Sequence, residues 1–249
     1  MTDTPPVERR RIERLRAGRR ARKVATKPAT TETIAERLGA AITEHRLPPG
    51  TRLVEESLGE VFGVSRTKVR QALFQLARAK LVTMASGRGA CVARPGVREA
   101  REIFEARRVI ERALAWRFTQ VASAAQIARL REHIEKERTA LAAGDSGAGT
   151  RLSGEFHLLI ADMSGNSVLA ELLRELVSRT SLIIVLYGST LPASCSADEH
   201  AELLAKIEGR DAEGALRLMA HHLDHIERGL NLREEEQPTV DLRAALAEK

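Results

Sequence analysis

The stretch that most constrains this chain is FGVSRTKVRQALFQLARAKLV, which runs from Phe62 to Val82. A tight turn ending at Ser65 is followed by a helical pattern in which three apolar residues share one face at i, i+4 and i+7: Val69, Leu73 and Leu76. This spacing predicts a helix that packs this face on a core. Positive side chains fill its first two turns, where they oppose the positive end of the helix dipole. A helix that accepts this cost has a negative partner.

The flanking sequence indicates the setting of this helix. Helical spacing begins at Thr31, and Pro48-Pro49-Gly50 prevents its continuation. A short helix over 55–62 ends at Gly63, and Ser65 is a favourable N-cap for the next helix, which we expect to end near Ala79. Two β-like runs, 81–84 and 90–93, flank a loop with two glycines. This order predicts a winged helix-turn-helix over 31–94.

The outward face of the helix identifies the negative partner as DNA. The N-terminal residues of a recognition helix enter the major groove, where arginine pairs with guanine and glutamine with adenine. We expect Arg66 or Arg70 and Gln71 to read bases, and Thr67 and Lys68 to hold phosphate. The full predicted DNA-contacting set is Arg52, Ser65, Arg66, Thr67, Lys68, Arg70, Gln71 and, at the tip of the wing, Ser86, Gly87 and Arg88. The alternative is a solvated basic helix face.

The rest of the chain is predicted to be almost entirely helical. Apolar residues make up 43% of the chain and aromatic residues only 3%, which favours a helical core of leucine, isoleucine, valine and alanine. After a linker at 95–97, an all-α bundle is expected over 98–233, followed by a tail at 234–249. The predicted fold is mainly α. The predicted helices are 98–119, 124–143, 151–163, 167–187, 197–208 and 211–232, with glycine-rich breaks at 144–149 and 164–166.

Charge and cysteine usage bear on compartment and partners. Residues 1–30 hold ten Lys and Arg against three Asp and Glu, so this arm carries +7 while the whole chain carries +6. A basic arm of this kind lies on nucleic acid or is a solvated, flexible tail. The two cysteines are far apart, and no apolar run reaches the roughly 18 residues of a membrane span. We expect a cytoplasmic, nucleoid-associated protein without a secretory signal or membrane partner.

Three histidines on separate predicted helices are candidate metal ligands. His222 lies on the apolar side of its helix, His157 lies at the edge of an apolar face, and His200 follows two acidic residues at a helix start. If all three point inward, their imidazole nitrogens can converge on one ion. The alternative is three ordinary buried or edge histidines.

The segment LPPGTRLVEESLGEVFGVSRTKVRQALFQLARAKLV resembles the DNA-binding domain of the GntR family of bacterial transcription regulators. The segments FEARRVIE, EFHLLIADMSGN and DEHAELLAKIEGRDAEGALRLMAHHL resemble the FCD ligand-binding domain of its FadR subfamily. The resemblance implies a divalent metal, zinc or nickel, on His157, His200 and His222. Ser153 stands where relatives have a metal-binding aspartate, so water, an effector oxygen or Glu155 is left for the fourth position.

The same resemblance implies an effector pocket formed with Arg107, Ser153 and Asn166. Arg107 either binds a carboxylate of the effector or forms a salt bridge with Glu111, and Asn166 is either a pocket residue or a helix boundary.

These observations predict a ligand-responsive transcription regulator, a repressor that binds a palindromic operator as a homodimer and senses a small organic acid. It is not expected to be an enzyme. One alternative is a metal-dependent hydrolase with an attached DNA-binding domain, because three histidines with an open position resemble a catalytic zinc shell. Another is an architectural DNA-binding protein that uses the basic arm and has no effector.

Overall fold

The computed structural model describes residues 29–85, 89–188 and 194–233. Within these ranges nine helices and three short strands follow one another along the chain. The N-terminal elements are α1 (Thr31–Thr43), β1 (Arg52–Leu53), α2 (Glu55–Phe62), α3 (Arg66–Arg78), β2 (Val82–Ala85) and β3 (Gly89–Val92). The helices that follow are α4 (Val97–Val121), α5 (Ala124–Ala142), α6 (Ser146–Met163), α7 (Ser167–Tyr187), α8 (Ser194–Glu208) and α9 (Ala212–Gly229).

The winged helix-turn-helix is present and its local signals act as expected. The hydroxyl of Ser65 accepts a hydrogen bond from the backbone N–H of Lys68 and caps α3. Gly63 ends α2 with a φ of 65°, a left-handed conformation that glycine adopts without strain. The strands form an antiparallel sheet in the order β1-β3-β2. The apolar face of α3 packs on α1 and this sheet, with Val69, Leu73 and Leu76 all buried.

The second part is an all-helical bundle in which α4 runs through the centre and packs on α7 and α9. Four of its helices, α5, α6, α7 and α9, begin at side-chain caps, such as the reciprocal Ser123–Gln126 capping box at α5. The predicted glycine-rich break at 144–149 was too long. Helix α6 already begins at Ser146, because the carboxylate of Asp145 accepts from the N–H of Ala148 and caps it.

The two parts contact each other closely. Leu182 on α7 is fully buried in the same apolar cluster as the core of the winged helix-turn-helix. A β-carbon on Gly147 would lie 2.7 Å from the carbonyl oxygen of Glu44, so only glycine lets α6 approach the chain after α1 this closely. Glu44 also accepts from Arg151, whose Nε lies 3.1 Å from its Oε1. The bundle therefore sits directly against the C-terminal end of α1.

The predicted arm at 1–30 lies almost wholly outside the described residues, as does the tail at 234–249. Among the helices that the structure does describe, none is both long and apolar enough to cross a membrane.

Candidate functional site

The recognition helix presents the predicted base-reading side chains to solvent. Arg66, Thr67, Arg70 and Gln71 on α3 are exposed, and Lys68 is half-buried. Arg52 is exposed on β1, beside the strand that leads out of the wing. The predicted wing-tip residues Ser86, Gly87 and Arg88 lie outside the described residues.

Acidic residues of α2 hold two of these arginines without DNA. Arg66 forms an ion pair with Glu56, and the Nε of Arg70 lies 3.5 Å from Oε1 of Glu55. Exposed ion pairs of this kind contribute little, about 0–1 kcal/mol. The arginines are therefore free to exchange these partners for a more negative one.

The three predicted histidines come together in the interior of the bundle. His157 on α6, His200 on α8 and His222 on α9 are all buried. One potential ligand nitrogen from each lies within 4.8 Å of the other two. The Nε2 atoms of His157 and His222 are 3.3 Å apart. Phe156 stacks on the ring of His200 with a centroid distance of 3.9 Å, which fixes the orientation of that imidazole.

Each histidine has its other ring nitrogen against a carboxylate. Nδ1 of His200 lies 2.8 Å from Glu137, and Nδ1 of His222 lies 2.6 Å from Glu199. Nδ1 of His157 lies 2.5 Å from Oε2 of Glu111. A carboxylate at Nδ1 holds the proton there and leaves the lone pair of Nε2 for a metal, which is the usual arrangement around metal-bound histidine.

The electrostatics of the cluster favour the neutral imidazoles of His157 and His200. Burial lowers the pKa of His157 to about 4, although Glu111 opposes this shift. Burial, together with His222 and His157, holds the pKa of His200 well below its usual value. Burial also raises the pKa of Glu137 to about 7, although hydrogen bonding to Ser196 opposes it. A nearby divalent cation would favour the ionised form of this carboxyl group.

These residues fit a divalent cation. Nε2 of His200 is buried and has no hydrogen-bond partner among the described residues. Imidazole nitrogens about 2.0–2.1 Å from a tetrahedral zinc ion lie about 3.3 Å from each other, and the Nε2 atoms of His157 and His222 have this separation. Two neutral lone pairs facing each other at that distance are unfavourable unless a cation or a proton lies between them.

A cavity of about 530 Å³ adjoins the cluster. This is within the usual size range of small-molecule sites. Arg107, Ser153 and His157 line it, together with the acidic partners Glu137 and Glu199. The wall is completed from the winged helix-turn-helix by Ala40, Thr43 and His45.

Arg107 forms the salt bridge with Glu111 that was one of its two predicted contacts, and it also reaches the cavity. Its Nε donates to Glu111 over 2.6 Å, while its Nη2 is buried and has no hydrogen-bond partner within the described part of the chain. Because Arg107 also lines the cavity, it presents an unused donor beside it.

Of the other two predicted pocket residues, one lines the cavity and one does not. Ser153 lines the cavity and its hydroxyl lies 2.8 Å from that of Ser196. Asn166 is not part of the cavity wall. Its side chain accepts from the N–H of Leu169 and caps α7, so it is a helix boundary. Glu155 reaches the cavity but forms an ion pair of 2.6 Å with Arg151.

The three carboxylates behind the histidines could not be predicted from sequence patterns. The sequence indicated Glu111 only as a partner for Arg107 at i+4. Its contact with His157 joins residues that are 46 positions apart in the chain and lie on different helices. Glu137 and Glu199 carry no pattern that distinguishes them from other helical glutamates. Their side chains meet histidines only because α5 packs on α8 and α8 on α9.

A winged helix-turn-helix with exposed arginines on α3, joined to a helical bundle that holds a ligand-sized cavity, defines a two-part transcription regulator. Comparisons with known proteins agree. Residues 30–92 match the gntR family of bacterial regulatory proteins, and residues 102–225 match the FCD domain. The chain belongs to the GntR family and carries an FCD domain.

Individual relatives support this assignment. The chain is 30% identical over 179 residues to the HTH-type transcriptional regulator McbR of Escherichia coli (strain K12), covering 70% of this chain and 80% of McbR. It is 24% identical over 181 residues to the HTH-type transcriptional repressor RspR of the same strain, covering 72% and 79%. The solved structure of E. coli McbR/YncC superposes with a TM-score of 0.72 and 26% identity, over 79% of this chain and 94% of that one.

Proposed function

We propose that this protein is a repressor that binds a palindromic operator as a homodimer and releases it, or binds it more tightly, when a small carboxylic acid occupies the bundle. The observation that carries the proposal is the shared cavity, whose wall is formed by both the bundle and the winged helix-turn-helix. The relative RspR is named as a repressor, which supports that sign of regulation. The place of action is the nucleoid in the cytoplasm.

The DNA-reading role rests on the exposed arginines of α3. Arg70→Ala removes a side chain placed to contact a base, and we expect operator binding to weaken by about 1–3 kcal/mol, roughly 5- to 150-fold, with little change on random DNA. Fluorescence anisotropy with both DNAs at a fixed salt concentration measures this difference. Equal losses on the two DNAs would leave Arg70 as a phosphate contact only.

The carboxylate class follows from Arg107. A guanidinium with an unused buried donor is suited to a carboxylate oxygen, and such charge-assisted hydrogen bonds are stronger than neutral ones. The carboxylate group of an organic acid would lie between Arg107 and the histidine cluster. Glu111 pairs with the Nε side of the same guanidinium and offsets part of the cost of burying its charge.

The metal proposal rests on the three converging histidines. His157, His200 and His222 would hold zinc or nickel, and the bound ion would supply a positive charge for an effector oxygen. Ser153 stands where relatives have a metal-binding aspartate, and its hydroxyl contacts that of Ser196. Neither residue offers a carboxylate to the ion. Elemental analysis of protein purified without tag or chelator should find about one ion per chain, and His200→Ala should lose it.

The homodimer is supported by exposed apolar side chains on two helices that pack together. Val109 and Trp116 on α4 are 69% and 46% exposed, and Val168 and Leu172 on α7 are 67% and 52% exposed. Because α4 packs on α7, we propose that these residues share one apolar face of the bundle. A second copy of the chain that covers this face would also place two recognition helices on one operator.

The hydrolase alternative has less support. The carboxylates beside the cluster are engaged with histidine Nδ1 atoms, and Glu155 is engaged with Arg151, so none is positioned as a general base. The architectural alternative does not account for the cavity or the histidine cluster. The architectural alternative would be favoured if no acid changed DNA binding and if the protein bound operator and random DNA with equal affinity.

A further inference from the structure

The cavity wall includes one residue of the winged helix-turn-helix with unusual properties. His45 lies two positions beyond the end of α1 and has a φ of 63°. Among residues other than glycine, this left-handed conformation is enriched in asparagine, aspartate and histidine, and it is common just beyond the end of a helix.

The two ring nitrogens of His45 are in different environments. One ring N–H donates to the backbone carbonyl of Ser181 on α7. Nε2 is buried and has no hydrogen-bond partner among the described residues, so the donor to Ser181 is Nδ1. Burial lowers the pKa of His45, which keeps the ring neutral. A neutral imidazole that donates through Nδ1 carries a lone pair on Nε2 and can only accept there.

The cavity wall holds several buried polar atoms without a hydrogen-bond partner among the described residues, and two of them are of opposite kind and lie on different parts of the protein. In the bundle, Arg107 offers a buried donor, and in the winged helix-turn-helix, His45 offers a buried acceptor. Buried polar groups are normally paired, so each indicates a complementary group on a ligand. The ligand that satisfies both carries an acceptor at one end and a donor at the other.

We propose that His45 is a second anchor for the effector and accepts a hydrogen bond from a hydroxyl group of a hydroxylated carboxylic acid. The inference rests on the proposed effector site and adds to it a residue of the DNA-binding part and a narrower ligand class. A hydroxyl group fits better than an ammonium group, because a neutral donor can be buried against Nε2 of His45 without the desolvation cost of a charge. The bound acid joins the bundle directly to the end of α1.

Matched pairs of acids test this ligand class. Isothermal titration calorimetry of the full chain compares lactate with propionate, malate with succinate, and 4-hydroxybutyrate with butyrate, each up to about 10 mM. We expect at least one hydroxylated acid to bind about 10-fold more tightly than its partner, because a site with an unpaired acceptor discriminates against ligands that lack the donor. Wild-type protein that shows no preference in any pair overturns the inference.

Two variants locate the effect. In His45→Asn the backbone conformation is tolerated but the ring nitrogen is lost, so the hydroxyl preference should fall below about 2-fold while the plain acid binds as before. Ser178→Ala is the control, because this cavity-wall hydroxyl already donates to the carbonyl of Arg174 within its own helix. It should keep the full preference.

The outcomes separate the two proposals. A preference that persists in His45→Asn overturns the role of His45 and leaves the effector site intact. Arg107→Met should weaken both members of a pair by about 10-fold or more. If it changes neither while His45→Asn removes the preference, the proposed carboxylate site at Arg107 fails and the role of His45 stands. If none of the six acids binds, the carboxylate class fails, and the hydroxy-acid inference fails with it.

Discussion

The buried chain Arg107–Glu111–His157 makes a strong prediction for Glu111→Gln. The side chains of Arg107 and Glu111 are only 3% and 1% exposed, and Nε of Arg107 lies 2.6 Å from Glu111. The amide keeps the shape of the carboxylate but removes its charge, which leaves a buried guanidinium without a counter-ion. Breaking a buried ion pair in this way destabilises proteins by about 3–5 kcal/mol.

The pKa of Glu111 gives a second value for this loss of stability. Burial opposes the charged form, yet Arg107 and His157 together lower the pKa of Glu111 from 4.5 to about 2. A difference of this size corresponds to about 3 kcal/mol of net stabilisation of the carboxylate. Both routes therefore give a loss near 3 kcal/mol, within the range that a folded domain tolerates.

Urea unfolding of the chelated protein measures the loss, and the midpoint should fall by about 1–2 M. Glu208→Gln is the matched control, because it breaks an exposed Arg131–Glu208 pair in which both side chains are 54% exposed, and it should change stability by less than about 1 kcal/mol. The double variant Arg107→Met, Glu111→Gln should be more stable than Glu111→Gln alone, since it removes both buried charges.

The same variant should also affect metal binding. Glu111 faces Nδ1 of His157, and loss of such a partner weakens metal affinity by about 10- to 100-fold. A loss of stability no greater than that of Glu208→Gln, or metal affinity equal to wild type, would refute the reasoning about this network.

Two further predictions concern assembly and pH. Trp116→Glu places a charge on the exposed apolar face, so we expect the dimer to dissociate in sedimentation experiments, whereas a dimer of unchanged strength would place the interface elsewhere. In the chelated protein, the free energy of unfolding should fall as the pH is lowered from about 6.5 to 4, because the unfolded chain protonates its histidines near 6.5 while burial lowers the pKa of His157 to about 4. A depressed folded-state pKa contributes stability above the unfolded value, and for His157 this is up to about 3 kcal/mol. The pKa of Glu137, raised to about 7 by burial, acts in the opposite direction between about 4.5 and 7. Burial also holds the pKa of His200 well below its usual value, so His200 adds to the effect of His157 and makes the net change a loss. Stability that is flat or rises on acidification would contradict this account, and His157→Asn should reduce the slope.

Local signals in the sequence were sufficient for most of the fold. Ser65 predicted the start of α3 because a serine cap acts within three residues, and apolar spacing placed Val69 and Leu73 in the core. The same spacing placed His222 on the buried side of α9. Each of these features depends on a single helix, and a periodic pattern of apolar residues describes a single helix.

Features that depend on how two helices pack could not be predicted from the sequence. Glycines at 144–149 predicted a longer break than the structure has, because Gly147 serves the close approach to Glu44 inside a helix rather than a loop. The pairing of His200 with Glu137 requires α5 and α8 to pack in one register. Nothing in the local pattern around His45 distinguishes it from a polar residue in a surface turn.

The position of α1 gives a physical route from the cavity to DNA. Its C-terminal end leads to His45 in the cavity wall, and near its N-terminal end the hydroxyl of Thr31 lies 3.4 Å from the Gln71 side chain on the recognition helix. Between these ends, Leu38 and Ile42 are buried in one cluster with the apolar face of α3. A helix of 13 residues is about 20 Å long. A tilt of about 5° at one end therefore displaces the other by about 1.7 Å, which is enough to break a hydrogen bond to a base. A ligand that holds His45 would thus act on the recognition helix through a single rigid element.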